Sequence, residues 1–194
     1  HMLILIATSI LLIALFTQKG CFYGSNIDWV NQHSVIPEYF RSQFYATGKL
    51  IPEFAPQLGA GQNIFNLSYY GFLSPVILLS YLFPMVSMPT YIAVSSILLV
   101  IISVLLVYIW LVDNKVEKTD ALACSIFYLC ASPILFQSHR QIMFVNYMPF
   151  LLLAIIGVNR YFEKKKSGLL IMGTFLMIMT SYYFSVGGII CLVL

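Results

Sequence analysis

The sequence predicts an all-α fold, a polytopic bundle of transmembrane helices, and three observations carry this. Hydrophobic residues make up 60% of the chain and charged residues 9%, with a mean hydropathy of +0.91, far outside the soluble range. Tyr91 to Val112 holds no charge and exceeds the roughly 20 residues a helix needs to cross a hydrocarbon core of about 30 Å. Further apolar runs recur at 3–16, 121–137, 143–158 and 168–194. A lone strand in lipid would leave its backbone groups unsatisfied, so each run is expected to be helical.

In chain order, the 3–16 run would rise only about 21 Å as a helix, and His1-Met2 reads as a cloning remnant. The chain ends at Leu194 inside an apolar run. Residues 1–194 are therefore expected to form a single N-terminal transmembrane portion of a longer polypeptide. Arg160, Lys164, Lys165 and Lys166 form the strongest basic cluster, which places the 159–167 loop on the cytoplasmic side. Counting back, 138–141 lies outside, 113–120 with Lys115 and Lys118 lies inside, and Tyr91 begins outside. The whole of 17–90 then becomes a large first extracytoplasmic loop. The apolar run 69–88 would break this parity if it crossed. Pro75 and Pro84, with Gly71, Ser74, Ser80 and Ser87, point instead to two short interfacial or re-entrant helices, and a sixth crossing is the alternative.

The external loop is too apolar for a flexible linker. Ile36, Phe40 and Phe44, with Tyr39 beside them, have the spacing of an amphipathic helix, with Pro37 suited to its first turn and Gly48 to its stop. Asp28 lies one helical turn before Gln32, so a helix starting near Asn26 would put both on one face. A Gly59-Ala60-Gly61-Gln62-Asn63 turn follows, whose glycines permit positive φ, and Tyr69-Tyr70 returns the chain to the interface.

These residues resemble one known family. Gly24 to His33 with its Asp28-Trp29 and Gln32-His33 pairs, Pro37-Glu38-Tyr39-Phe40-Arg41, the 59–63 glycine turn, Tyr69-Tyr70-Gly71 and Ser74-Pro75 look like the YfhO family of bacterial membrane proteins. His139, Phe144, Asn146, Pro149, Gly157 and Tyr182-Tyr183-Phe184 follow in the same order. Family members are several times longer. The resemblance implies a GT-C-type glycosyltransferase in the bacterial cell membrane, moving a sugar from a polyprenyl-phosphate donor to a teichoic-acid-like acceptor, lipoteichoic acid in particular, on the extracytoplasmic face. It also implies a catalytic carboxylate in the first external loop, here Asp28.

That role suits the chemistry, because an acceptor hydroxyl attacking an anomeric carbon must lose a proton as the phosphate leaves. Charge on the departing polyprenyl phosphate needs donors or cations; His139 and Arg140 are the external basic pair, with Arg41 and Lys49 second. Gln32, His33, Gln62, Asn63, Tyr69 and Tyr70 complete the expected substrate-binding set. Each residue also has a plainer reading. Asp28 can cap a helix, the basic residues can contact headgroups, and the tyrosines can belong to an aromatic belt. Glu38 and Glu53 lack metal spacing, so no cofactor is expected, with a divalent ion left open.

Cys124, Cys130 and Cys191 fall in apolar runs and Cys21 outside them, so no bridge is expected. No Walker-type loop or GxGxxG is present to bind a nucleotide, and nothing points to nucleic acid as a partner; membrane lipids are partners by composition, and the oligomeric state is open. Two rival functions stand beside the enzyme. A transporter or flippase for a lipid-linked substrate would show ionisable residues or broken helices at mid-membrane; the spans show few, apart from Pro133 and Pro149 near the outer ends. The other rival is a non-catalytic assembly subunit.

Overall fold

The computed structural model describes residues 1–17, 23–25 and 27–194. The expected placement of Cys21 and the helix start near Asn26 fall outside the described residues. Most of the described chain is helical: α1 (Met2–Phe16), α2 (Val35–Thr47), α3 (Pro75–Leu79), α4 (Met88–Asp113), α5 (Lys118–Cys130), α6 (Ser132–Ser138), α7 (Ile142–Lys164), α8 (Gly168–Thr180) and α9 (Tyr182–Val193). A π-helical turn, Trp29–His33, leads into α2, and a 3₁₀ helix, Ile64–Tyr70, precedes α3. The protein is thus an all-α membrane protein. Helices α4 and α7 are each long and apolar enough to span, and two bent helix pairs raise the candidates to four.

The bundle centres on α4 and α7. Both run toward one end, where Asn159 donates to Asn114 at 3.0 Å. Helix α1 starts from the same end, since the His1 ring nitrogen sits 3.1 Å from the Lys118 carbonyl. Between them Leu5, Val100, Val104, Leu129 and Val145 make a dry core. Helix α8 lies antiparallel on α7 at very close range. A Cβ on Gly157 would come 2.4 Å from the Leu170 nitrogen, and one on Gly173 would come 2.6 Å from the Ala154 nitrogen. Only small residues allow two backbones to approach so closely, the usual basis of helix packing in lipid.

Two expected continuous helices are broken. The 121–137 run bends by 51° between α5 and α6, with Pro133 in the first turn of α6. The 168–194 run breaks at Ser181, whose backbone is extended at φ −158 and ψ 107. No proline causes that break. The Ser185 hydroxyl donates to the Met177 carbonyl at 3.0 Å across it, and Ser181 Oγ accepts from the Phe184 nitrogen, so serine side chains replace the missing helical bonds. Pro149, by contrast, lies inside an unbroken α7.

Residues 23–25 and 27–87 form a compact cap at the other end. Trp29, Phe40, Ile64, Phe72, Ile77 and Met88 share a core with Ile142 and Met143 of α7. Helix α2 buries Phe40 and ends at Gly48, in the left-handed region at φ +69. The Gly59–Asn63 turn closes a two-residue antiparallel ladder, Phe54–Ala55 with Gln62–Asn63, a strand pair that helical patterning did not anticipate. The 69–88 run contains no continuous helix: the 3₁₀ helix and the 75–82 segment meet at 96°, as two short pieces.

Candidate functional site

The cap, the α6–α7 link and the α8–α9 break converge around the π-turn. There Ser34 N–H bonds to the Trp29 carbonyl at 3.0 Å, five residues back. A π-turn is wider than an α-turn and recurs at functional sites. It gathers Asp28, Gln32 and His33 on one side. Gln32 Nε2 donates to Asp28 Oδ1 at 3.3 Å, and the Tyr70 hydroxyl donates to Gln32 Oε1 at 2.7 Å. The amide is held from both ends, so one carboxylate oxygen has a fixed donor while the half-buried group keeps acceptor capacity. Asp28 stands at the N-cap position of the turn with helical backbone angles, and its side chain makes no capping hydrogen bond among the described residues.

His33 is 1% exposed. Its ring lies 6.5 Å from Trp29 and 6.0 Å from Tyr70, centroid to centroid. Burial lowers its pKa to about 4 against the raising effects of Asp28 and Gln141, so the imidazole is neutral at physiological pH. Gln141 faces it from the α6–α7 link, yet among the described residues neither ring nitrogen nor Gln141 Oε1 makes a hydrogen bond of good geometry. Tyr23 stacks edge-on against Trp29 at 5.9 Å, and burial raises its pKa to about 12, with Ser138 acting the other way.

The other expected residues divide. Tyr69 joins the cluster: its ring contacts Tyr70 at 5.3 Å and Tyr183 at 6.1 Å. His139 lies in the same corner, lining a small apolar cavity with Tyr23, while Arg140 is exposed and rests over the Phe136 ring at 4.3 Å. Arg41 is committed elsewhere. Only 4% exposed, it donates to the carbonyls of Phe83 (3.2 Å) and Val86 (2.9 Å) and pairs with Glu38, bracing the 83–86 turn. Gln62 and Asn63 sit in the small ladder, Asn63 capping the 3₁₀ helix through the Phe65 nitrogen at 2.9 Å. Glu53 and Lys49 are exposed.

Sequence reasoning missed three contributors to this corner: Gln141, Tyr182 and Tyr183 as neighbours of the Asp28 loop. The Tyr182-Tyr183-Phe184 run in a helix that starts anew was the available signal.

An all-helical membrane protein with a carboxylate held at the end of its bundle is the class these features define. A family model described as bacterial membrane protein YfhO matches residues 2–194, and the chain belongs to this family. No curated protein and no solved structure matches the chain.

Proposed function

We propose that this chain carries the acceptor-activating part of a membrane glycosyltransferase that uses a polyprenyl-phosphate-linked sugar and modifies a cell-envelope acceptor of teichoic-acid type. The observation that carries the reading is the Asp28–Gln32–Tyr70 hydrogen-bond chain. It orients a half-buried carboxylate at the end of the bundle opposite the basic cluster, which positive-inside logic makes the extracytoplasmic face. Asp28 takes the proton of the acceptor hydroxyl as its oxygen bonds to the anomeric carbon and the C–O bond to phosphate breaks. Arg140, with His139 beside it, is the cation for the leaving phosphate; Arg41 is set aside because it is buried and three of its five N–H donors are engaged. An apolar groove of about 710 Å³ between α3 and α4, lined by Val76, Leu79, Phe83, Val94, Leu98 and Ile102, offers a wall for the donor's hydrocarbon chain.

The test is Asp28→Asn in the full chain, scored by sugar transfer from polyprenyl-phosphate donor in membranes at matched protein level. The reading predicts a loss of at least about 100-fold, the usual scale of removing a general base, while transfer at the wild-type rate would refute it. One observation favours a second reading. The α5–α6 and α8–α9 breaks are the discontinuous helices that transporters use, so a lipid-linked-substrate flippase predicts that Asp28→Asn leaves transfer intact once donor is supplied outside.

A further inference from the structure

Asp28 is linked to α9 by an unbroken series of contacts. Beyond the Gln32 and Tyr70 bonds, the Tyr70 ring meets Tyr69 at 5.3 Å and 84°, and Tyr69 meets Tyr183 at 6.1 Å and 83°. Tyr183 in turn packs on Phe184 at 5.3 Å, and Phe184 is wedged between Phe144 (5.5 Å) and Tyr147 (5.9 Å) of α7. The hydroxyl of Tyr69 lies within electrostatic reach of Asp28, Tyr182 and Tyr183 together. Despite this bracing, Tyr182 and Tyr183 remain 57% and 62% exposed. The break at Ser181 makes this possible: starting a new helix there puts two consecutive tyrosines in its first turn, beside the loop that carries the carboxylate.

We propose that Tyr183, with Tyr182 beside it, is the platform on which the pyranose ring of the donor stacks, turning its anomeric carbon toward Asp28. A pyranose has an apolar C–H face and a rim of hydroxyls, which matches a ring with an apolar body and a polar tip. A belt tyrosine needs only depth in the headgroup layer. Tyr183 is instead held edge-on by Tyr69 of the 3₁₀ helix on one side and by Phe184, itself packed on α7, on the other, which fixes the plane of its open face. This inference rests on the glycosyl-transfer reading and names the group that orients its donor.

The experiment compares binding by the purified full chain of polyprenyl phosphate alone and of the same lipid carrying glucose, galactose or N-acetylglucosamine. The wild type should hold at least one glycosylated lipid more tightly than the bare one. Tyr183→Ala should weaken that lipid about tenfold and change the bare lipid by less than about twofold, while Tyr183→Phe, which keeps the ring, should stay near wild type. Three results would overturn the proposal: no sugar preference in the wild type, unchanged preference in Tyr183→Ala, or equal loss of both lipids, which marks a headgroup or folding role. Asp28→Asn separates the two ideas, since it should keep the sugar preference while losing transfer. Wild-type transfer in that variant would remove the catalytic reading without touching the binding result.

Discussion

Asp28, Gln32 and His33 share one side of the chain because the backbone winds there as a π-turn, and each then meets a different constraint. Asp28 keeps acceptor capacity, Gln32 is fixed at both ends, and His33 is buried neutral. The last has a consequence for stability. The unfolded ring titrates near its ordinary 6.5 and the folded ring near about 4, so between these values the unfolded state binds more protons. Stability is therefore intact above about pH 6.5 and falls as pH drops toward 4, by roughly 3 kcal/mol in total. Melting temperatures in detergent at pH 7.5 and 4.5 should show a larger acid loss for wild type than for His33→Gln, and equal losses would contradict the burial of a neutral ring. The Asp28–Gln32 pairing was legible from its four-residue spacing. The inward turn of His33 was not, because a π-turn has no periodicity in five residues and its neighbour Gln141 comes from a distant segment.

Among the elements, α2 and the 75–82 segment are joined by Arg41. Arg41→Ala strands the Phe83 and Val86 carbonyls and leaves Glu38 without its partner, and should cost about 1.5–3 kcal/mol. Arg41→Lys should recover little, since an ammonium cannot reproduce the planar fork that reaches three acceptors; full recovery in a thermal melt would count against this bracing role. The α7–α8 crossing makes a second prediction. Gly157→Val or Gly173→Val inserts a Cβ into backbone and should destabilise by about 1–3 kcal/mol. Gly187→Ala, where an added Cβ meets nothing within 4 Å, should be neutral or slightly stabilising, and similar melting temperatures for all three would contradict the close approach. At this scale apolar length located the helices but not their breaks. Pro75 and Pro84 correctly marked short pieces, whereas Pro149 is absorbed within α7 and the Ser181 break depends on serine hydroxyls bonding across it.

Across the whole molecule, charge is distributed unevenly between the two ends. Lys115, Lys118, Arg160, Lys164, Lys165 and Lys166, six of the ten cations, sit at or just beyond the end where Asn114 and Asn159 meet, and the cap with Asp28 closes the other. Composition alone announced the membrane class, and the basic cluster indicated an orientation. The corner where cap, α6–α7 link and α8–α9 break meet was not legible, because it depends on how helices register rather than on any local pattern. Acceptor activation by Asp28 on the extracytoplasmic face requires that corner to face out of the cell. Ile27, beside the carboxylate and 68% exposed, is the place to probe it. In a chain with its native cysteines replaced by serine, Ile27→Cys should react with a membrane-impermeant maleimide on intact cells, and Lys166→Cys only after permeabilisation. The reverse pattern would put Asp28 in the cytosol and contradict the account.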